Sequence, residues 1–139
     1  MTYIEFKEKL NQMHNEILDK NDVFWAFGEK QFEEELKKRG LTKKDVESIG
    51  AGGWIAKRYQ FEKFKKDLEE LQKKKQKMFN ELSEDTKENA ILYELRNYEV
   101  FWDFFGTGLD DVIEIFEEYG IGEDEVLKVY KDNRAKYEN

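Results

Sequence analysis

Apolar residues near the start of the chain fall at Tyr3, Phe6, Leu10, Met13 and Ile17. Steps of three and four put them on one side of an α-helix. Thr2 with Glu5 forms a capping box, so the helix is expected to begin there and run to about Leu18. Lys20, Asn21 and Asp22 break the pattern. Val23 to Phe27 (VFWAF) is β-branched and aromatic, is too short for a helix and ends at Gly28, which predicts a short strand or a buried extended segment. A second helix is expected over 29–39, with Phe32 and Leu36 four apart and Gly40 suited to a left-handed stop. Thr42 with Asp45 opens another short helix, ending near Gly50.

Gly50, Ala51, Gly52 and Gly53 form the one clear backbone break. The longest helical pattern follows, from about Ile55 to Leu82. Its apolar positions are Phe61, Phe64, Leu68, Leu71, Met78 and Leu82, a heptad stripe with Lys75 in a polar seam slot. Gln72 to Lys77 (QKKKQK) holds no apolar residue, so that part is expected to be wet all round. After a capped turn at Ser83 to Thr86, a helix returns through Ala90, Ile91, Tyr93 and Leu95, which suggests an antiparallel hairpin. Val100 to Phe105 (VFWDFF) is again short and aromatic. Two further helices are expected, Leu109 to Tyr119 and Glu123 to about Lys136. The fold class predicted is mainly α: a small helical domain over 1–139, with a long central helical hairpin and at most a short two-stranded β-ribbon.

An internal echo runs through this pattern. DVFWAFG at Asp22 and EVFWDFFG at Glu99 are each followed by an acidic helix that stops at a glycine, Gly40 or Gly120. This predicts a two-fold duplication of 22–49 and 99–129, with the two VFW segments pairing as the ribbon. Two aromatic-rich segments also match by chance.

Charge sharpens the picture. The net charge is −8, but residues 57–78 hold nine Lys or Arg against four Asp or Glu. Residues 97–127 hold no Lys or Arg and ten acids, Glu99, Asp103, Asp110, Asp111, Glu114, Glu117, Glu118, Glu123, Asp124 and Glu125. Such a block repels nucleic acid and attracts a basic protein surface. The plainer reading is a solvated helix face. No apolar run approaches the roughly 18 residues of a membrane span, so no membrane partner is expected. The N-terminus has no signal-peptide pattern and there is no Cys, which points to the cytosol.

The segments FWAFGEKQFEE (Phe24 to Glu34), GAGGWIAK (Gly50 to Lys57) and YELRNYE (Tyr93 to Glu99) resemble, in order, a set found in short uncharacterised proteins. Those proteins belong to phages, prophages and other mobile elements of Firmicutes and related bacteria. Their segments are an FFAF…QF run, a glycine-rich turn with an aromatic residue, and a YEL-x-N-H-E run. Tyr98 stands where the resemblance calls for His, which puts any role of that imidazole in doubt here. The resemblance implies a phage-like setting and no known reaction.

Catalytic chemistry has few carriers. There is no Cys, and the serines are only Ser48 and Ser83, beside the single His14, which reads as a rim residue of the first helix. Gly50, Gly52 and Gly53 with Lys57 and Arg58 are a candidate anion site, if the turn presents N–H groups at a helix start. The P-loop and dinucleotide fingerprints are absent, and a tight turn that lets Trp54 pack closely explains the glycines as well. Glu94, Asn97, Glu99, Asp103, Asp110 and Asp111 could supply oxygens to a hard cation, but no metal-loop spacing is present, and Glu94 is equally explained by a lysine partner. No cofactor or resident metal is expected.

The leading expectation is a non-enzymatic, protein-binding protein. Its partner-binding residues would be Trp102, Asp103, Asp110, Asp111, Glu114, Glu117 and Glu118, acting as a phosphate mimic against a host nucleic-acid-binding defence protein. The alternatives are a metal-dependent hydrolase using carboxylates near 94–111, and a structural or regulatory phage protein that self-associates through the heptad stripe.

Overall fold

The computed structural model describes residues 1–56, 58–102 and 107–137. The mainly α class is as expected. The elements run α1 (Tyr3–Lys20), β1 (Phe24–Trp25), α2 (Glu29–Arg39), a 3₁₀ turn (Lys43–Asp45), β2 (Glu47–Gly50), β3 (Gly53–Ile55), α3 (Arg58–Asn80), α4 (Glu84–Asn97), a 3₁₀ turn (Val100–Trp102), α5 (Thr107–Glu117) and α6 (Glu123–Tyr137). They fall into two compact units, 8–74 and 1–7 with 75–139. No described helix is long and apolar enough to cross a membrane.

The unit of residues 8–74 is built on a sheet that the hydrophobic pattern did not predict. Its three antiparallel strands lie in the order β1–β3–β2, where at most two were expected. The segment 46–50, expected to end a short helix, is strand β2 instead; the Thr42–Asp45 box caps only one 3₁₀ turn. The physical reason is the turn. Gly50 pairs with Gly53, and the two residues between them, Ala51 (φ 51°) and Gly52 (φ 82°), both take positive φ. That is the signature of a hairpin turn whose twist matches its strands. Ala occupies a position where Asn or Gly normally announces such a turn, so the sequence masks it.

Each sheet face has its own cover. Val23 and Ile55 form a buried cluster with Phe64 of α3, and Ile17, Leu18, Ile49, Phe61 and Leu68 pack around it. On the other face Phe24 stacks with Phe32 of α2, Phe32 lies 4.4 Å from Trp54, and the Arg39 guanidinium sits 4.8 Å over Phe24. Buried Asn21 donates to the Ile17 carbonyl and to Asp67 Oδ2, each at 2.9 Å, fixing the end of α1 against α3.

The other unit packs α4, α5 and α6 on one another, with the 3₁₀ turn Val100–Trp102 against all three. The first turn of α1 and the last turn of α3 complete its aromatic core. Phe79 stacks on Tyr119 at 4.0 Å and meets Phe6 edge-on at 5.7 Å. Phe79, Phe6, Phe116, Leu95, Val112 and Val126 are almost wholly buried. The seam expected through Met78 therefore turns one residue further, onto Phe79.

Lys75, the polar seam position, is half-buried, and its ammonium lies 3.1 Å from both Glu118 oxygens. Gln76 donates to the Glu118 carbonyl at 3.1 Å. The QKKKQK stretch is thus not wet all round: two of its side chains close the end of α5, whose last turn has no basic residue.

The echoed segments differ in local structure. The first VFW lies across β1, paired with β3, and the second is a 3₁₀ turn, so the predicted ribbon between them does not form. Glu99 (φ 56°) reverses the chain just before the second. The glycine stops do match: Leu41 N–H reaches the Leu36 carbonyl, Ile121 N–H reaches that of Phe116, and Gly40 and Gly120 are both left-handed.

A Cβ added at Gly53 would stand 2.7 Å from the Trp25 ring and 2.8 Å from Ile49. Gly53→Ala is expected to cost about 1–3 kcal/mol in urea unfolding, as overpacking does. In a Trp25→Ala background the added cost should shrink, and strict additivity would show that the ring does not impose the glycine.

Candidate functional site

The predicted acidic face is assembled by α5. At 100° per residue, Asp110, Asp111, Glu114 and Glu117 fall within an arc of about 120° on one side of the helix. All four are exposed, while Val112 and Phe116 on the opposite side are buried. None of the four has an ion pair among the described residues. Glu118 is set apart by its bond to Lys75, and Asp103 lies outside the described residues. Glu123, Asp124 and Glu125 occupy the first turn of α6, where the helix dipole favours them.

Trp102 is half exposed. It meets Tyr137 edge-on at 6.1 Å and Phe101 at 6.2 Å. The Arg96 guanidinium lies 5.4 Å and the Lys136 ammonium 5.6 Å from the Tyr137 ring centre. The ring beside Trp102 thus carries two cations, while Asp103 lies outside the described residues. Arg96 and Lys136 are in the last turns of α4 and α6, where cations offset the negative end of the dipole.

The candidate anion residues are dispersed. Gly50, Gly52 and Gly53 belong to the β2–β3 hairpin, and β3 intervenes before α3 begins at Arg58. The turn therefore does not open the helix, which was the reason for expecting anion binding there. Lys57 lies outside the described residues.

Glu94 was grouped with the carboxylates of 94–111. It is instead 2 % exposed, accepts from the Tyr3 hydroxyl at 3.2 Å and pairs with Lys7 at 3.0 Å. The lysine partner anticipated for it is Lys7. Among the described residues no three His, Cys, Asp or Glu side chains are grouped to hold a metal. Burial, with the Glu94 charge beside it, pushes the Tyr3 phenol well above its ordinary range. Burial and Glu118 raise that of Tyr119. His14 is exposed on α1.

Two features escaped the sequence reading. Phe27 (76 % exposed) and Trp25 lie at solvent, with their rings over Gly52 and Gly53. The alternation of Val23, Trp25 and Phe27 was the available signal. The second feature is a cleft of about 520 Å³ lined by the end of α3, α4, α6 and the loop between α5 and α6, which no local pattern announces.

Two outcomes follow for the buried cluster. Lys7→Met leaves the Glu94 carboxylate without its cation, and should destabilise by about 2 kcal/mol, below the usual loss for a buried pair because Lys7 is half in water. Glu94→Gln keeps an acceptor for Tyr3 and should lose less; the reverse order in chemical denaturation would refute this assignment. Tyr3 and Tyr119 hold their protons in the folded state beyond the ordinary phenol value of 10.0. Their contribution to stability is therefore complete below pH 10 and is lost as pH rises above it. Absorbance at 295 nm should show these two phenols ionising only with unfolding.

Comparison with curated proteins and with solved structures found no similar chain. A family model does match, over residues 6–135, nearly the whole length. The chain belongs to that family, a family of unknown function (DUF7659).

Proposed function

We propose that this protein is a non-catalytic binding protein whose α5 face docks on a basic surface of another protein. The observation that carries the reading is the set of four exposed carboxylates, Asp110, Asp111, Glu114 and Glu117, that the described chain does not neutralise. Like charges three and four apart on a helix repel, each pair costing about 0.2–0.5 kcal/mol. Glu117 also faces the negative end of the α5 dipole. A face held against its own repulsion is explained by a cationic partner.

The specific form proposed is an inhibitor, encoded by a phage or mobile element, whose carboxylates occupy the phosphate-binding surface of a host nucleic-acid-binding defence protein. The resemblance to phage-borne proteins supports that setting. Trp102 is the proposed anchor, because a half-exposed aromatic side chain braced edge-on by Tyr137 offers contact area at low entropic cost.

Capture from a host lysate should recover a basic nucleic-acid-binding protein, with retention falling steeply as salt rises. Asp111→Lys with Glu114→Lys should abolish that retention while the fold keeps its stability or gains a few tenths of a kcal/mol. Recovery of no basic protein, or equal recovery by the variant, would overturn the reading.

A further inference from the structure

The cleft of the 1–7/75–139 unit has a floor and a rim of different chemistry. Its floor is Phe79, Ile91, Tyr119 and Val129, all buried in the fold yet reaching the cavity. On the α4 side the rim carries Glu84, Lys87 and Glu88; on the α6 side it carries Glu125, Lys128 and Asp132. The Lys87 ammonium is taken up by Glu84 at 3.3 Å, with its stem largely buried. That leaves Glu88, Glu125 and Asp132 against Lys128 alone. The cleft thus offers aromatic and aliphatic surface below and surplus negative charge above. A volume of about 520 Å³ is ample for one long side chain and its neighbours.

We propose that this cleft seats a lysine or arginine side chain carried on an amphipathic segment of the protein partner. The proposal rests on the reading above that the partner is basic, and it adds a second contact distinct from the α5 face. The occupant follows from the chemistry. A long cationic side chain lays its methylenes on Ile91 and Val129 and keeps its charge at the rim, as such side chains do at apolar surfaces. The Phe79 and Tyr119 rings stack on each other at 4.0 Å, and Tyr119 already has the Lys75 ammonium 5.5 Å from its ring centre, so the new cation is held by the rim carboxylates and not by these rings. An acidic segment would meet three carboxylates against one free ammonium.

The test uses the full ¹⁵N-labelled chain and a helical Leu/Arg amphipathic peptide, with a Leu/Glu peptide of the same pattern as control. The Leu/Arg peptide should shift amides of 84–91, 119–122 and 125–132. The paired exposed substitutions Glu88→Lys and Asp132→Lys should weaken that binding about tenfold or more. Glu33→Lys, at an exposed acid of α2 outside both surfaces, should leave those shifts unchanged. Shifts confined to 107–117 would overturn the cleft proposal and leave the α5 reading standing. Equal shifts with the Leu/Glu peptide, or none with either, would also overturn it. Cleft binding that survives while lysate capture recovers no basic protein would instead remove the α5 reading.

Discussion

An ionised carboxylate inside an aromatic core is tolerable only where a cation and hydrogen-bond donors meet it, and Glu94 is placed under that constraint. Its two partners, Tyr3 and Lys7, are one turn apart on α1, so they approach it from the same helix face. The rings that exclude water from Glu94 come from the same neighbourhood: Tyr3 meets Tyr93 at 5.5 Å and Phe116 at 6.5 Å. The first turn of α1 is therefore bound to α4 by polarity as well as by packing. An apolar residue at position 94 would let that turn slide or rotate, whereas a carboxylate admits only a register that supplies its donors. Losing the cation leaves a buried charge uncompensated, which is what makes that register costly to leave.

The helical part of the fold was legible because amphipathic periodicity and caps are local. Thr2 receives the Glu5 N–H, Ser83 receives that of Thr86, and Gly40 and Gly120 stop their helices, all as residue type implies. The sheet was illegible for a non-local reason. β2 and β3 are too short to show alternation, and Ala51 hides a hairpin turn that Asn or Gly would have advertised. The acids of α5 could be placed on one face from spacing alone. The setting of Trp102 could not, since Tyr137 reaches it from a distant part of the chain.

Sequence averages also concealed how charge is arranged in space. The acidic block of 97–127 is three different things in the fold. Among the described residues, Glu118 is bonded to Lys75, the acids of 123–125 sit at a favourable helix start, and Glu99 and those of 110–117 stand without an ion pair. The candidate surface is correspondingly smaller than the composition suggests. It lies in the same unit as the cationic–aromatic group around Tyr137, so a partner spanning both would need patches of both signs.

Phe27 and Trp25 rest on the two glycines of the hairpin, with no room for a Cβ between ring and backbone. The FWAF and GAGGW segments, separate along the chain, are therefore one unit of sequence drift. A larger residue at Gly53 requires smaller side chains at both Trp25 and Ile49, while Gly52 is held as well by its φ of 82°. In a set of diverged relatives these positions should vary together or not at all, a correlation that any sufficiently deep collection of sequences would carry without reference to what the protein binds.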